Sequence, residues 1–281
     1  MSYQAEISRI NPTCFLFLVD HSSSMSYPVM GIPSNPKKSV FVADALNKTI
    51  QSLIVSASKD MDVRRYYQVG VIGYGFEVES SLGGDLKGQD LVWIDDLYQH
   101  PLRIEDRLKK ESDGAGGYIE VTMKLPVWVD PVSKGQTPMC QALEHSRDIL
   151  RAWVEKYPNS YPPTVINLTD GEANDGDPRK PAAELTSLAT NDGNVILLTV
   201  HTSSREFDEQ IFFPDDINKL PDHFSKIMFE LSSVLPPAML RTGSELLDSP
   251  LNENAHGFVY NADIAGIVQA LEIGTRPAIA L

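Results

Sequence analysis

Short apolar runs alternate with longer helical periods along the chain. Residues 14–19 form a continuous apolar run that ends at Asp20, which is typical of a strand buried on both faces. Further strands are predicted at 67–73, 77–82, 164–169, 194–200 and 258–260. Apolar residues three and four positions apart predict helices over 42–57, 139–154, 181–190, 224–231 and 263–272. This alternation predicts a doubly wound α/β fold, with a mainly parallel, Rossmann-like sheet and helices on both faces.

Two segments depart from the alternation. Residues 83–130 contain a charged stretch, a glycine-rich turn at 114–117 and then a partial period of two, so we interpret them as an insertion that ends in a β-ribbon. Residues 201–222 form a long acidic loop whose phenylalanines either make a partner surface or pack the loop onto the body: Phe207, Phe212 and Phe213. We expect a single domain over 1–281, with a strand–helix extension at 257–281.

Composition narrows the classes of partner. The 281 residues include 24 basic and 38 acidic side chains, which gives a net charge of −14. This charge argues against nucleic acid and anionic membranes as partners, because binding phosphate requires a basic surface. Residues 1–12 lack the apolar core of a secretory signal, and Cys14 and Cys140 are expected to be buried free thiols. These features predict a cytoplasmic protein.

Oxygen-bearing side chains follow the predicted strands at three places. Asp20, Ser22 and Ser24 form a D-x-S-x-S pattern after the first strand, Thr137 precedes a long helix, and Asp170 follows the strand at 164–169. In parallel sheets such loops gather at the carboxyl ends of the strands. Hydroxyls and carboxylates are hard oxygen ligands, so this set suits Mg²⁺, or else Mn²⁺ or Ca²⁺, and leaves one coordination position open.

Each of these residues also has an ordinary structural interpretation. Ser22 and Ser24 could cap backbone amides in a loop, and Asp170 could belong to a turn. Thr137 is a good helix N-cap with Pro138 as the first helical residue, and this role is compatible with metal binding.

Two neighbouring features favour structural roles. His21 lies beside the serines, but the sequence has no Gly-x-Ser-x-Gly elbow, so we interpret it as a solvated loop histidine rather than a catalytic base. Residues 174–177 resemble part of an EF-hand loop with the wrong spacing, and we interpret them as an exposed turn.

Taken together, Asp20-x-Ser22-x-Ser24, Thr137 and Asp170 resemble the metal-ion-dependent adhesion site of von Willebrand factor A (vWA) domains. The resemblance covers most of the chain. It implies one divalent cation at the top edge of the sheet, with direct coordination by both serines. The two aspartates would divide between direct and water-bridged coordination, and Thr137 would switch between them. The open position would take an acidic side chain of a partner protein.

The resemblance therefore implies a metal-dependent protein-interaction module rather than an enzyme. Intracellular vWA proteins act as scaffolds or regulators with AAA+ ATPases, or beside a kinase and a PP2C-type phosphatase in bacterial operons. The chain looks most like the latter, tellurite-resistance and stress-associated group. Two alternatives stay open: a metal-dependent phosphotransferase or phosphatase with Asp20 as nucleophile, although Ser22 stands where its second carboxylate would be, and a metal-independent structural subunit.

Overall fold

The computed structural model describes residues 2–29, 36–60, 62–112, 117–202 and 209–275. Its strands are β1 (Thr13–Asp20), β2 (Ser58–Lys59), β3 (Asp62–Val63), β4 (Tyr67–Tyr74), β5 (Val78–Ser80), β6 (Val92–Trp93), β7 (Arg103–Ser112), β8 (Tyr118–Val127), β9 (Thr164–Thr169), β10 (Ala189–Thr190), β11 (Gly193–Asn194), β12 (Ile196–His201), β13 (Ile211–Phe212) and β14 (Phe258–Tyr260). Its α-helices are α1 (Lys38–Ala57), α2 (Ile94–Gln99), α3 (Met139–Lys156), α4 (Arg179–Thr186), α5 (His223–Leu231), α6 (Pro237–Leu246) and α7 (Ile264–Thr275).

The central sheet is mainly parallel. Its strand order is β13-β14-β12-β9-β1-β4-β5, and β6 also pairs with β4. The five inner strands from β14 to β4 run parallel, whereas β5, β6 and β13 are antiparallel to their neighbours. The predicted doubly wound, mainly parallel α/β fold is confirmed.

Apolar residues fill both faces of this sheet. Along β1, Phe15 and Phe17 point into a core shared with α1 and α7, while Leu16 and Leu18 point into a second core shared with α3 and α5. Successive side chains of a strand face opposite ways, so a strand covered on both sides must be apolar throughout. The continuous apolar run at 14–19 follows from this arrangement.

The neighbours of β1 place its end at a topological switch point. The chain passes from β1 to β4 on one side and later returns to β9 on the other. Val19 lies opposite Leu168 in the β1–β9 register, so Asp20 and Thr169 leave the sheet side by side. Ligands of doubly wound sheets bind in the crevice that forms at such a point.

The segment at 83–130 ends in the expected ribbon. Strands β7 and β8 pair antiparallel over ten residues each. The part before the ribbon buries Val92, Ile94 and Leu97 in the core on the α1 side of the sheet. At its far end, Asn47 of α1 accepts hydrogen bonds from the backbone N–H of Trp128 at 2.8 Å and of Val129 at 3.1 Å.

Some predicted boundaries were wrong. The helix expected over 181–190 spans Arg179–Thr186, because β10 pairs with β11 across a tight turn at Asn191 and Asp192. The helices α2 and α6 were not predicted. Helix α6 begins at Pro237, where proline suits the first helical turn, and it buries Met239.

Two phenylalanines of the acidic loop pack onto the body. Phe213 is buried and Phe212 lies against Gly266 of α7, which favours the packing interpretation for these two residues. Phe207 lies outside the described residues, as do residues 276–281 of the predicted extension.

Cys14 and Cys140 are buried free thiols as predicted. Within the described ranges, no helix has the length and hydropathy needed to cross a bilayer.

Candidate metal site

Asp20 ends β1 as a completely buried carboxylate. Its Oδ1 accepts a hydrogen bond from the backbone N–H of Ser22 at 2.8 Å. Its Oδ2 accepts one from the hydroxyl of Thr169 at 2.7 Å. The β1–β9 register places Thr169 beside Asp20, so the neighbouring strand fixes the orientation of this carboxylate.

Hydroxyl groups connect Asp20 with the loop after β9. The Oγ atoms of Ser22 and Ser24 lie 2.8 Å apart. The hydroxyl of Ser24 donates to Oδ1 of Asp170 at 2.7 Å, across 146 residues of sequence. Ser22 is buried, whereas Ser24 is half-buried. The structure thus joins four of the predicted site residues, Asp20, Ser22, Ser24 and Asp170, in one line of successive hydrogen bonds at the switch point.

Thr137, the fifth predicted residue, adjoins this line. Its backbone carbonyl accepts from the N–H of Asn174 at 3.1 Å. A Cβ atom built on Gly171 would lie 3.7 Å from the Thr137 hydroxyl, so the two loops are in contact. The side chain is 7% exposed. The backbone hydrogen bond with Asn174 thus holds Thr137 beside the loop that carries Asp170.

The sequence analysis missed Lys38. Its Nζ lies 2.8 Å from Oδ2 of Asp170, and the two side chains are 3% and 1% exposed. The same Nζ lies 3.5 Å from the carbonyl oxygen of Thr202. Lysine is almost never fully buried unless it is paired, so this is a specific contact. Nothing in the spacing or periodicity around Lys38 distinguishes it from the neighbouring, exposed Lys37.

Burial dominates the electrostatics of the site. Burial raises the pKa of Asp20 to about 6, although hydrogen bonds from Ser22 and Thr169 act in the opposite direction. Burial also raises the pKa of Tyr74, whose hydroxyl donates to Oδ1 of Asn167 at 2.6 Å. The lysine compensates only one of the two carboxylates, so the site keeps one negative charge when both are ionised.

The cap of α3 differs from the prediction. Pro138, not Thr137, occupies the N-cap position, and no side chain of either residue caps the helix. Asp175 performs this role from the loop after β9, since its carboxylate accepts from the N–H of Cys140 at 3.1 Å and of Gln141 at 2.9 Å. The predicted exposed turn at 174–177 is present, with Asn174, Gly176 and Asp177 exposed, and Asp175 within it is half-buried. Its carboxylate accepts from amides that the first turn of every helix leaves without an intrahelical partner.

His21 is half-buried rather than solvated. Its ring lies against Gly73 and its Cβ against Gly75, where any larger residue would collide with it. Burial lowers the pKa of His21 to about 4. The interpretation of His21 as a solvated loop residue is wrong, because the strand end of β4 carries glycines that let the ring pack on the backbone.

The donor set fits a hard divalent cation. In the part of the chain that the structure describes, no group of three or more histidine, cysteine, aspartate or glutamate side chains converges as a metal cluster. The site instead combines the carboxylates of Asp20 and Asp170 with serine and threonine hydroxyls. Neutral hydroxyl and charged carboxylate oxygens are ligands for Mg²⁺, Mn²⁺ or Ca²⁺, and they are poor ligands for softer metals.

Comparisons with known proteins identify distantly similar solved structures. No protein-family model and no curated protein matches the chain. The chain is similar to proximal thread matrix protein 1 from the mussel byssus, with 18% identity and a TM-score of 0.39 over 70% of this chain. It is also similar to the ArnB paralog VWA2 from Sulfolobus acidocaldarius, with 13% identity and a TM-score of 0.39 over 80% of this chain. The vWF domain of the pili tip protein Mfa5 from Porphyromonas gingivalis is similar at 10% identity and a TM-score of 0.33 over 58%.

These likenesses concern part of larger proteins. The chain spans 39% of the length of each of the three structures. Two of them are named for a vWA or vWF domain. The fold class stands on the strand order and register of this protein's own sheet, and the distant likenesses support no function by themselves.

Proposed function

We propose that this protein is a vWA-type interaction module that uses a divalent cation, with Mg²⁺ as the leading candidate, to bind an acidic side chain of a partner protein. The observation that carries the proposal is the line of Asp20, Ser22, Ser24 and Asp170, which hydrogen bonds join at the topological switch point. Only folding brings these loops together, and their oxygens match the requirements of a hard cation.

Individual residues have distinct roles in this proposal. Ser22 and Ser24 would bind the cation directly, while Asp20 and Asp170 would bind it directly or through water. Thr137 would join or leave the coordination sphere. The bound cation would supply a Lewis acid for one carboxylate oxygen of the partner. Thr169 holds the Asp20 carboxylate in place, because its hydroxyl donates to Oδ2.

The charge of the chain restricts the partner. A net charge of −14 slows the encounter with other acidic proteins. We therefore expect the partner to present its carboxylate on a neutral or basic face. As partners we propose cytoplasmic regulators, such as a kinase, a PP2C-type phosphatase or an AAA+ ATPase in a bacterial stress or tellurite-resistance system.

The environment of Asp20 supports binding rather than phosphoryl transfer. A nucleophilic carboxylate needs an oxygen that can reach a substrate, and it needs a neighbouring acid or base. Asp20 is completely buried and both of its oxygens accept hydrogen bonds. Ser22 stands where a second carboxylate would be required. We propose that the protein is not an enzyme.

One observation favours the metal-independent alternative. Lys38 pairs with Asp170 and so supplies positive charge to the site from within the chain. A structural subunit that uses no cation could be held together in this way. The two proposals differ in one measurable property, which is whether partner binding depends on a divalent cation.

A calorimetric titration with Mg²⁺ tests the proposal. Wild type is compared with Ser24→Ala, which removes a half-buried hydroxyl, and with Asp20→Ala. The control is Asp106→Ala, which removes a carboxylate from the exposed ribbon instead. We expect heat of binding in wild type and in the control, and its loss in the two site variants. Circular dichroism shows that each variant is folded.

A partner captured by the wild-type protein from lysate is then challenged with EDTA. Release by EDTA, together with failed capture by Ser24→Ala, is the expected result. If wild type binds no Mg²⁺, Mn²⁺ or Ca²⁺, the metal-dependent proposal is wrong. If the protein binds a cation but captures the partner equally well with EDTA and with the Ser24→Ala variant, the cation does not bridge to the partner.

A further inference from the structure

Lys38 occupies a position that local helix energetics do not favour. It is the first residue of α1, and the first turn of this helix contains no acidic side chain. The amino end of a helix carries partial positive charge, so a cation there is destabilising unless another group compensates it. Its neighbour Lys37 is exposed, whereas Lys38 turns inward and is 3% exposed. The pair with Asp170 is the compensating contact.

Lys38 lies in largely apolar surroundings. Phe41, Val42 and Ile267 line the same small cavity as its side chain, and the other polar residues of this lining are Thr202 and Asp263. Charges that leave water pay a large desolvation penalty, which only a well-placed partner offsets. The side chain of Asp170 is itself 1% exposed, and without Lys38 its buried carboxylate would have no compensating charge.

The two oxygens of Asp170 face different partners. Oδ1 accepts from the hydroxyl of Ser24 at 2.7 Å, on the side where the proposed metal ligands lie. Oδ2 accepts from the ammonium of Lys38 at 2.8 Å. A cation that binds Asp170 therefore shares its carboxylate with a positive charge that the protein already holds.

We propose that Lys38 is the resident counter-ion of the metal site, which keeps the metal-free protein folded and weakens the hold on a divalent cation. This inference rests on the proposed function. The ammonium neutralises Asp170 when no cation is present, so folding does not depend on metal. It also repels an incoming cation, because like charges a few ångströms apart in a poorly solvated site interact strongly. Reversible loading of the site is the consequence.

The test compares Lys38→Met with wild type in two measurements. Affinity for Mn²⁺ is measured by electron paramagnetic resonance of the free ion, and thermal unfolding is recorded in EDTA and in excess Mn²⁺. We expect Lys38→Met to bind Mn²⁺ about tenfold more tightly or better, because one repelling charge is gone. We also expect a lower Tm than wild type in EDTA and a much larger rise of Tm on adding Mn²⁺.

Matched variants separate the ion pair from general effects. Lys37→Met removes the same charge from the same helix end without touching Asp170, and it should behave like wild type. Lys38→Met combined with Asp170→Asn leaves no uncompensated charge at position 170, and it should regain Tm in EDTA without binding Mn²⁺. If Lys38→Met fails to fold in EDTA, recovery of its circular dichroism on adding Mn²⁺ reports the same coupling.

The outcomes distinguish this inference from the proposed function. Equal Mn²⁺ affinity in wild type and Lys38→Met, or equal Tm in EDTA, overturns the counter-ion role and leaves the proposed function intact. Binding by Lys38→Met alone supports the counter-ion role and overturns metal use by the native protein. Absence of binding in both proteins overturns both proposals.

Discussion

The carboxylate of Asp175 lies 2.9 Å from the backbone nitrogen of Gln141 and accepts its hydrogen bond. A second bond from the N–H of Cys140 completes the cap of α3. Asp175 and Asp170 belong to the same loop, so the loop that contributes to the candidate metal site also fixes the start of the helix that follows Thr137. The negative charge also suits the positive end of the helix dipole.

Asp175→Ala is expected to destabilise the protein by about 1 kcal/mol, since it removes a capping carboxylate and leaves two amides unpaired. The free energy of unfolding is measured by urea denaturation. The control is Glu172→Ala, which removes an exposed carboxylate from the same loop. A loss of equal size in both variants would mean that net charge, and not the cap, is responsible.

Thr169→Val is expected to lower the free energy of unfolding by about 2 kcal/mol at pH 8, because Asp20 loses a hydrogen bond to one of its charged oxygens. Thr199→Val is the matched control on the adjacent strand β12, where the buried hydroxyl has no hydrogen-bond partner among the described residues. That control should be neutral or slightly stabilising. Similar losses in both variants would contradict a special role of the bond from Thr169 to Asp20.

Asn47→Ala is expected to lower the free energy of unfolding by about 3 kcal/mol, because the buried backbone groups of Trp128 and Val129 lose their hydrogen-bond partner. Hydrogen exchange of these two amides should accelerate more than exchange in β1. Lys48→Ala, an exposed change in the same helix turn, serves as control. Unchanged exchange at 128 and 129 would show that Asn47 does not anchor the end of the 83–130 segment.

Much of the fold could be predicted because its signals are local. The run at 14–19 is apolar at every position because both faces of β1 are covered, and this alone indicated a buried parallel strand. The helix over 42–57 was predicted from its apolar spacing, and the structure extends it to Lys38. Helix α6 was missed because its apolar face is narrow, with Met239 and Gly243 as its buried residues.

The candidate site likewise has a part that the sequence predicted and a part that it did not. Asp20, Ser22, Ser24, Thr137 and Asp170 could be named in advance because each follows or precedes a recognisable strand or helix, and parallel strands end at one edge. Their metal-binding role stays a prediction. The structural premise that Thr137 caps α3 was wrong, since the capping carboxylate comes from Asp175, 35 residues beyond Cys140.

By itself, the sequence determined the doubly wound sheet and the loops that meet at its switch point. Periodicity and strand ends are properties of residues that are neighbours in sequence, so they can be predicted from the sequence. Only the tertiary structure decided that Lys38 pairs with Asp170, 132 residues away, while Lys37 stays in solvent. The physical reason is that a buried lysine needs an oppositely charged partner, whereas an exposed lysine does not. Which lysine is buried depends on which helix packs on which strand.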